Sequence, residues 1–226
     1  TEHLKLSNPL TDDRVYLRRS LLPSLVEALE AMMRPVLVVF ELANVYHPQA
    51  NALPTEQLHL SIVSNCEYRQ LRAQVETMLA TMHITKMRID TESHCLTAGE
   101  TDTVIGVVTQ LGSYVAFDFI WSELLQIATT HPHYIPLAKA APLTEDLTFT
   151  LPARTAVGPI ISAMLAVSPL IHSVTLGAQY KQNFTFRCTY LNPEQSISSD
   201  DVAPIRAQLV ETVQRVAQAT LVGTLQ

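Results

Sequence analysis

The sequence predicts an α+β protein in which an antiparallel sheet is flanked by helices and is followed by a second, smaller sheet domain. Near the start, an amphipathic helix pattern precedes a long apolar strand. The last third alternates in the order strand, helix, strand, strand, helix, strand, which is typical of a ferredoxin-like domain. Between these parts, Thr129–Pro136 lacks periodicity and contains two prolines, which predicts a boundary between domains 1–130 and 131–226.

In the first domain, a stripe of leucines predicts a helix over Val15–Met32, capped by Asp12 or Asp13 and ended by Pro35. Val36–Tyr46 is mostly apolar and long enough to be a central strand. The elements predicted after it are strand Leu58–Val63, helix Arg69–Met82, strands Lys86–Asp90, Cys95–Ala98, Val104–Val108 and Val115–Ile120, and helix Ser122–Ala128.

In the second domain, the predicted elements are strand Leu147–Leu151, helix Ala156–Ala166, strands Ile171–Leu176 and Phe184–Tyr190, helix Asp201–Ala217 and strand Thr220–Leu225. Ser198 and the acids after it are typical of a helix start. Strand alternation leaves one sheet face open and rich in threonine, with a single arginine, Arg187. Because this face lacks exposed aromatic residues, any RNA contact there uses hydrogen bonds, phosphates and shape.

The charge balance argues against a general nucleic-acid binder. The net charge of the 226 residues is −6, with nine basic and fifteen acidic residues in 1–130 and six of each in 131–226. An RNA contact is therefore expected to be local. No apolar run approaches the roughly 20 residues that span a bilayer, so no membrane partner is expected.

The cysteines and histidines predict no metal site. Cys66, Cys95 and Cys188 are odd in number, far apart and without a C-x-x-C pair, which indicates reduced thiols of a cytoplasmic protein. His131 and His133 have no acidic or thiol partner within a few residues and are interpreted as ordinary loop histidines.

One stretch, Leu4–His47, carries the most specific pattern. The segment LRRSLLP, an amphipathic helix and a strand ending in x-Val-Tyr-x resemble the second signature motif of class II aminoacyl-tRNA synthetases. In active members that strand ends in Arg-Val-Tyr-Arg, whose last arginine holds the ATP α-phosphate. Here the slots hold Asn44-Val45-Tyr46-His47, and a neutral imidazole cannot replace a bidentate guanidinium. The isolated glycines also form no G-x-G-x-G-x-x-R third motif, so no catalytic residue is predicted.

Further segments extend the likeness in chain order. NPLTDDRVYLRRSLLPSLVEAL, HCLTAG, IGVVTQLG, VAFDFIWSELL, HYIPLAKAAPLTEDLTFTLP and YKQNFTFRCTYLNPEQSISSDDV together resemble the C-terminal part of phenylalanyl-tRNA synthetase β subunits. The resemblance implies an inactive catalytic-like domain followed by a ferredoxin-like anticodon-binding domain.

The resemblance also implies partners. In this family the enzyme is an (αβ)₂ heterotetramer that attaches phenylalanine to its tRNA with ATP and Mg²⁺, and the α subunit carries catalysis. No cofactor is expected in this segment itself. The implied contact with the α subunit uses the first helix, with Arg18, Arg19, Leu21 and Leu25 as candidates. The candidates for tRNA binding are Arg154, Tyr180, Lys181, Asn183 and Arg187.

Two departures from the family stand out. Many relatives have an arginine beside the aspartate at Glu145-Asp146, and the glutamate here removes a plausible phosphate contact. The strand and helix that complete the family's catalytic-like sheet are expected to lie before Thr1. Two other functions stay open: a compact ATP-dependent ligase that is active alone, and an amino-acid-sensing regulatory module.

Overall fold

Two antiparallel sheets, each with its own helices, organise the chain. The computed structural model describes residues 3–12, 14–85, 87–90, 92–99, 102–132, 134 and 136–223. The α+β class predicted from the sequence is confirmed. The chain divides into two compact units, Thr1–His133 (unit 1) and Tyr134–Gln226 (unit 2). Several positions used in the predictions lie outside the described residues: Asp13, Lys86, His133 and Leu225.

Unit 1 is built around a six-stranded antiparallel sheet with the strand order β1-β2-β6-β5-β4-β3. Its elements are α1 Leu22–Met32, β1 Val38–His47, β2 Thr55–Ser64, α2 Tyr68–Thr81, β3 Arg88–Ile89, β4 Cys95–Ala98, β5 Thr103–Leu111, β6 Tyr114–Ile120 and α3 Trp121–Ile127. Consecutive strands pair through short connections, since β1 pairs with β2, β4 with β5 and β5 with β6.

Helices cover both faces of this sheet. The buried side of α1 packs against Val45, Val63 and Ala116, one residue each from β1, β2 and β6. The opposite face carries Phe117 and Phe119 in a core shared with α2 and α3. Strand alternation explains the split, because odd-numbered residues of β2 face α1 and even-numbered residues face α2.

The first helix begins at Leu22, so the predicted start at Val15 is wrong. Residues before it are extended, because the Leu6 amide donates to the Val15 carbonyl (2.8 Å) and the Leu17 amide to the Leu4 carbonyl (2.9 Å). Pro23 then sits in the first helical turn, where its missing N–H costs nothing.

The predicted aspartate cap of that helix is also wrong. Asp12 lies well before the observed helix start, and the residue at the cap position, Leu21, makes no side-chain capping bond. The nearby Ser20 hydroxyl accepts a hydrogen bond from the Leu22 amide (3.2 Å) instead.

β1 is an edge strand among the described residues, although its apolar sequence predicts a central one. Phe40 and Leu42 lie on the α2 face but are 72% and 45% exposed. α2 covers β2 and the strands beyond it, and leaves this end of the sheet open. An apolar strand sequence indicates that the strand contacts other apolar groups. For Phe40 and Leu42, the described residues do not supply that contact in full.

Unit 2 has the βαββαβ element order that the sequence predicts. Its elements are β7 Leu143–Thr150, α4 Val157–Leu165, β8 Ile171–Tyr180, β9 Asn183–Tyr190, α5 Ser199–Ala217 and β10 Thr220–Leu221. The antiparallel sheet has the order β10-β7-β9-β8. Helix α5 begins with the predicted cap, since Ser198 and Asp201 exchange hydrogen bonds in a capping box.

Both helices of unit 2 pack on one face of its sheet. Phe149, Phe186 and Tyr190 are fully buried there against α4 and α5. The alternate positions Thr148, Thr185 and Arg187 lie on the other face, as strand parity predicts. Within the described part of the chain, no helix combines the length and apolar character needed to cross a bilayer.

Candidate functional site

The end of β1 carries no arginine. Asn44 Nδ2 donates to the Glu56 carboxylate of the neighbouring strand (3.1 Å). Tyr46 and His47 complete the strand without an arginine. A donor set of one amide and one imidazole beside a carboxylate does not fit ATP. In the described ranges, no three His, Cys, Asp or Glu side chains come together to hold a metal ion.

Arg18 anchors the segment before α1 to this strand. Its Nη1 pairs with Glu41 Oε1 (2.8 Å) and its Nε donates to the Asn44 carbonyl (3.3 Å). The Arg18 carbonyl accepts from the Tyr46 amide (2.9 Å). Arg19 differs, because its Nε is buried and has no hydrogen-bond partner among the described residues.

The leucines predicted for the subunit interface fill the unit's own core. Leu21 is 0% and Leu25 is 6% exposed, and both pack against β1, β2 and β6. Any contact that a partner makes with α1 must therefore use the other side of this helix.

A polar cluster sits within the sheet of unit 1 that sequence reasoning did not find. Asp118 of β6 accepts a hydrogen bond from the Ser61 hydroxyl (2.5 Å). Its two carboxylate oxygens lie 3.1 and 3.2 Å from His59 Nδ1. His59 Nε2 lies 3.1 Å from Gln57 Oε1. Ser61 is fully buried, and the His59 and Asp118 side chains are 13% and 16% exposed.

The side chains of this cluster form a closed hydrogen-bonded network. Both oxygens of Asp118 are occupied, and Ser61 donates to the carboxylate instead of to an imidazole base. The signal in the sequence was present, because His59 and Ser61 interrupt an apolar strand at positions of the same parity. Only pairing with β6 shows that Asp118 is their partner.

An apolar groove runs along the open side of β1. Its volume is about 460 Å³, and it is lined by Val38, Phe40, Leu42, Leu60, Ile62, Leu71, Gln74, Val75, Met78, Met82 and Trp121. The main chain of β1 is open there too. Since the Tyr46 amide points away from β2, the even-numbered residues Phe40 and Leu42 point their N–H and C=O groups the same way.

In unit 2, Arg187 lies on the open sheet face but is engaged. Its Nε and Nη2 each donate to one oxygen of Asp146 at 2.8 Å, in a bidentate pair between β9 and β7. The hydrogen bonds from Arg187 lower the pKa of Asp146 below its usual value. Neighbouring threonines also bond within the sheet, because the Thr148 and Thr185 hydroxyls lie 2.9 Å apart.

The glutamate that replaces the family's arginine has a structural partner. Glu145 Oε2 accepts from Arg206 Nε of α5 (2.8 Å) in a pair whose side chains are 13% and 17% exposed. The Tyr190 hydroxyl donates to the other carboxylate oxygen. Cys188 lies beneath them, and burial raises the pKa of its thiol to about 12. Glu145 thus ties β7 to α5 and faces away from the open face.

The remaining tRNA candidates gather at one end of the unit 2 sheet. Tyr180, Lys181 and Asn183 form the turn between β8 and β9, and Lys181 Nζ lies 5.4 Å from the Tyr180 ring centre. Asn183 accepts from the Thr150 hydroxyl (2.8 Å). Arg154 lies in the loop after β7, which joins the turn because the Leu151 amide donates to the Gln182 carbonyl (2.8 Å).

Comparison with known proteins agrees with the resemblance. Residues 1–111 match the family model of the phenylalanyl tRNA synthetase beta chain CLM domain. Over nearly its whole length the chain is similar to β subunits of phenylalanine–tRNA ligase. The β subunit from Bacillus licheniformis is 23% identical over 96% of the chain, and that from Geobacillus kaustophilus is 22% identical over 98%.

The similar region is one part of a longer protein in those relatives. The chain spans about a third of the length of the β subunits it matches, 33% in both cases and 32% for the β subunit from Clostridium acetobutylicum. The similarity extends beyond the matched CLM domain through both units of this chain.

We predict that replacing Asp118 by Asn destabilises unit 1 by about 1–3 kcal/mol, because the amide lacks the negative charge that strengthens the bonds from Ser61 and His59 and replaces one acceptor oxygen by an NH₂ group. Trp121, the single tryptophan, lies in this unit, so its fluorescence during urea unfolding reports the change. Asp12→Asn, at an exposed site, is the matched control and is expected within about 0.5 kcal/mol of the unsubstituted chain. Equal stability of the two variants would show that the network contributes nothing.

Proposed function

We propose that this chain is a non-catalytic segment of the β subunit of phenylalanine–tRNA ligase, which packs on the catalytic α subunit and binds tRNA near the anticodon. The observation that carries the proposal is the strand end Asn44–His47, which keeps the class II framework without its phosphate-binding arginine. The whole enzyme would be a cytoplasmic (αβ)₂ heterotetramer that uses ATP and Mg²⁺, both held by the α subunit.

The internal chemistry of unit 1 supports the non-catalytic role. Its polar groups on the sheet satisfy one another: Arg18 pairs with Glu41, Asn44 with Glu56, and Asp118 with Ser61 and His59. None of these pairs offers a free cation to a phosphate. We therefore assign the sheet a structural role and not a catalytic one.

The exposed edge of unit 1 supports packing on a partner. Phe40 and Leu42 are 72% and 45% exposed and line the apolar groove along α2. Large contiguous apolar surfaces on a folded protein usually mark interaction sites. Since the inner face of α1 is buried, we assign the α-subunit contact to this apolar edge, defined by Phe40, Leu42 and the groove.

The exposed basic and aromatic side chains of unit 2 support the RNA-binding part of the proposal. The side chains of Arg154, Tyr180 and Lys181 reach solvent, and Arg187 is exposed on the open sheet face but paired with Asp146. Such groups supply phosphate contacts and a stacking surface in RNA-binding proteins.

The catalytic question is tested by ATP–pyrophosphate exchange with phenylalanine and Mg²⁺. The purified chain is expected to show no exchange above background, because no arginine holds the α-phosphate. An intact phenylalanine–tRNA ligase serves as the positive control. Phenylalanine-dependent exchange by this chain alone would establish a compact ligase instead. Calorimetric binding of phenylalanine without exchange would favour an amino-acid-sensing module.

The packing claim is tested by the double substitution Phe40→Ser with Leu42→Ser. We expect at least a tenfold loss of affinity for the α subunit, measured by sedimentation or light scattering of the mixture, because two apolar anchors leave the contact. Leu53→Ser with Val104→Ser removes two exposed apolar side chains elsewhere in unit 1 and is the matched control. Retained affinity in the Phe40 and Leu42 variant would place the contact elsewhere.

A further inference from the structure

Three cations meet at one end of unit 2, and one of them is far from the others in sequence. β10 pairs with β7 so that Thr220 lies opposite Thr150, which brings the end of α5 and Arg215 to the end of β7. The turn that holds Lys181 lies there as well, since Thr150 also pairs with Asn183. Arg154 follows in the loop after β7.

These three side chains are exposed and unpaired, whereas the other cations of unit 2 are engaged. Within the described residues, no salt bridge involves Arg154, Lys181 or Arg215. By contrast, each of the other three lies in an ion pair: Lys139 with Glu194, Arg187 with Asp146, and Arg206 with Glu145. The unit has no net charge, but its free positive charge is concentrated at this end.

The acidic residues are arranged in the opposite sense. Asp200 and Asp201 begin α5 at the far end of the sheet, and Glu145 and Asp146 near the start of β7 are neutralised by arginines. Glu211, one turn before Arg215, is the acidic residue of α5 nearest to the cations. This leaves a local excess of two positive charges.

The same end offers an aromatic surface. Tyr180 is 70% exposed, and its ring is held beside Lys181 Nζ at 5.4 Å from its centre. A tyrosine face next to a cation is the arrangement on which an unpaired nucleobase stacks while its phosphate contacts the charge. The first turn of α4 also starts here without a side-chain cap, and its free amides add to the positive potential.

The open face of the sheet is less suited to RNA. Arg187, its single arginine, gives both of its fork donors to Asp146, and the hydroxyls of Thr148 and Thr185 bond to each other. Binding a phosphate at Arg187 would have to displace a carboxylate already in bidentate geometry.

We propose that the chain holds RNA at this basic end, defined by Arg154, Lys181, Arg215 and Tyr180, and not on the open face of the sheet. The cations contact phosphates and Tyr180 stacks on one unpaired base. This inference rests on the tRNA-binding role proposed above and specifies the surface that performs it.

The test measures binding of the whole chain to a phenylalanine tRNA transcript across a series of salt concentrations. The triple variant Arg154→Ala, Lys181→Ala, Arg215→Ala is expected to bind at least tenfold more weakly. Its salt dependence should be shallower by about 2 to 3 units of slope, since each phosphate contact contributes roughly 0.7–0.9. Tyr180→Ala should weaken binding by about five- to a hundredfold with little change of slope.

A charge-matched control separates local contacts from general attraction. Arg14→Ala, Arg69→Ala and Lys139→Ala remove the same number of exposed cations outside the basic end and should leave most of the affinity and slope. Asp146→Asn removes the carboxylate that pairs with Arg187, and it should change neither the affinity for the transcript nor the salt slope. Circular dichroism and thermal melting of each variant confirm that it is folded.

Each contrary result has a distinct meaning. If the unsubstituted chain does not bind the transcript, the tRNA-binding role fails and the inference fails with it. If it binds but the two triple variants behave alike, or if Asp146→Asn tightens binding, the RNA lies elsewhere and only the inference fails. If polyglutamate competes with the same affinity and salt slope as the transcript, the basic end is a general polyanion surface and the RNA assignment is overturned.

Discussion

The pairing of β2 with β6 is the contact on which unit 1 depends. It places two strands that are distant in sequence at adjacent positions of the sheet, and it gives α1 and α2 one face each to cover. It also brings Asp118 beside Ser61 and His59, so the polar groups inside the sheet are satisfied where burial would otherwise be costly. The same pairing leaves β1 with a neighbour on one side within the described chain.

This arrangement accounts for the strand end that resembles the class II motif. The strand end Asn44–His47 is extended because β1 pairs along its full length with β2. Its polar groups are taken up by Glu56, Glu41 and Arg18 rather than by a nucleotide. The exposed side chains of Phe40 and Leu42 make this edge of the sheet apolar, which fits a role in packing against a partner.

In unit 2, ion pairing decides which charges are available. The same six cations and six acids could have covered the whole surface evenly, but the Glu145–Arg206 and Asp146–Arg187 pairs use four of them for joining strands and helix. The cations left over come together because an antiparallel sheet returns the chain to the same end: the β8–β9 turn, the loop after β7 and the end of α5. The net charge of zero does not reveal that the unpaired cations lie together at one end of the unit.

The sequence by itself determined the α+β class, the βαββαβ order of unit 2 and the helix cap at Ser198, because these follow from local periodicity, turn chemistry and residue type. It could not determine the start of α1 at Leu22, where pairing of Leu4–Leu17 overrides a helical pattern. Nor could it determine the edge position of β1, the partner of Asp118 or the engagement of Arg187. Those depend on which strands lie side by side, and strand pairing joins residues whose separation in sequence carries no local signal.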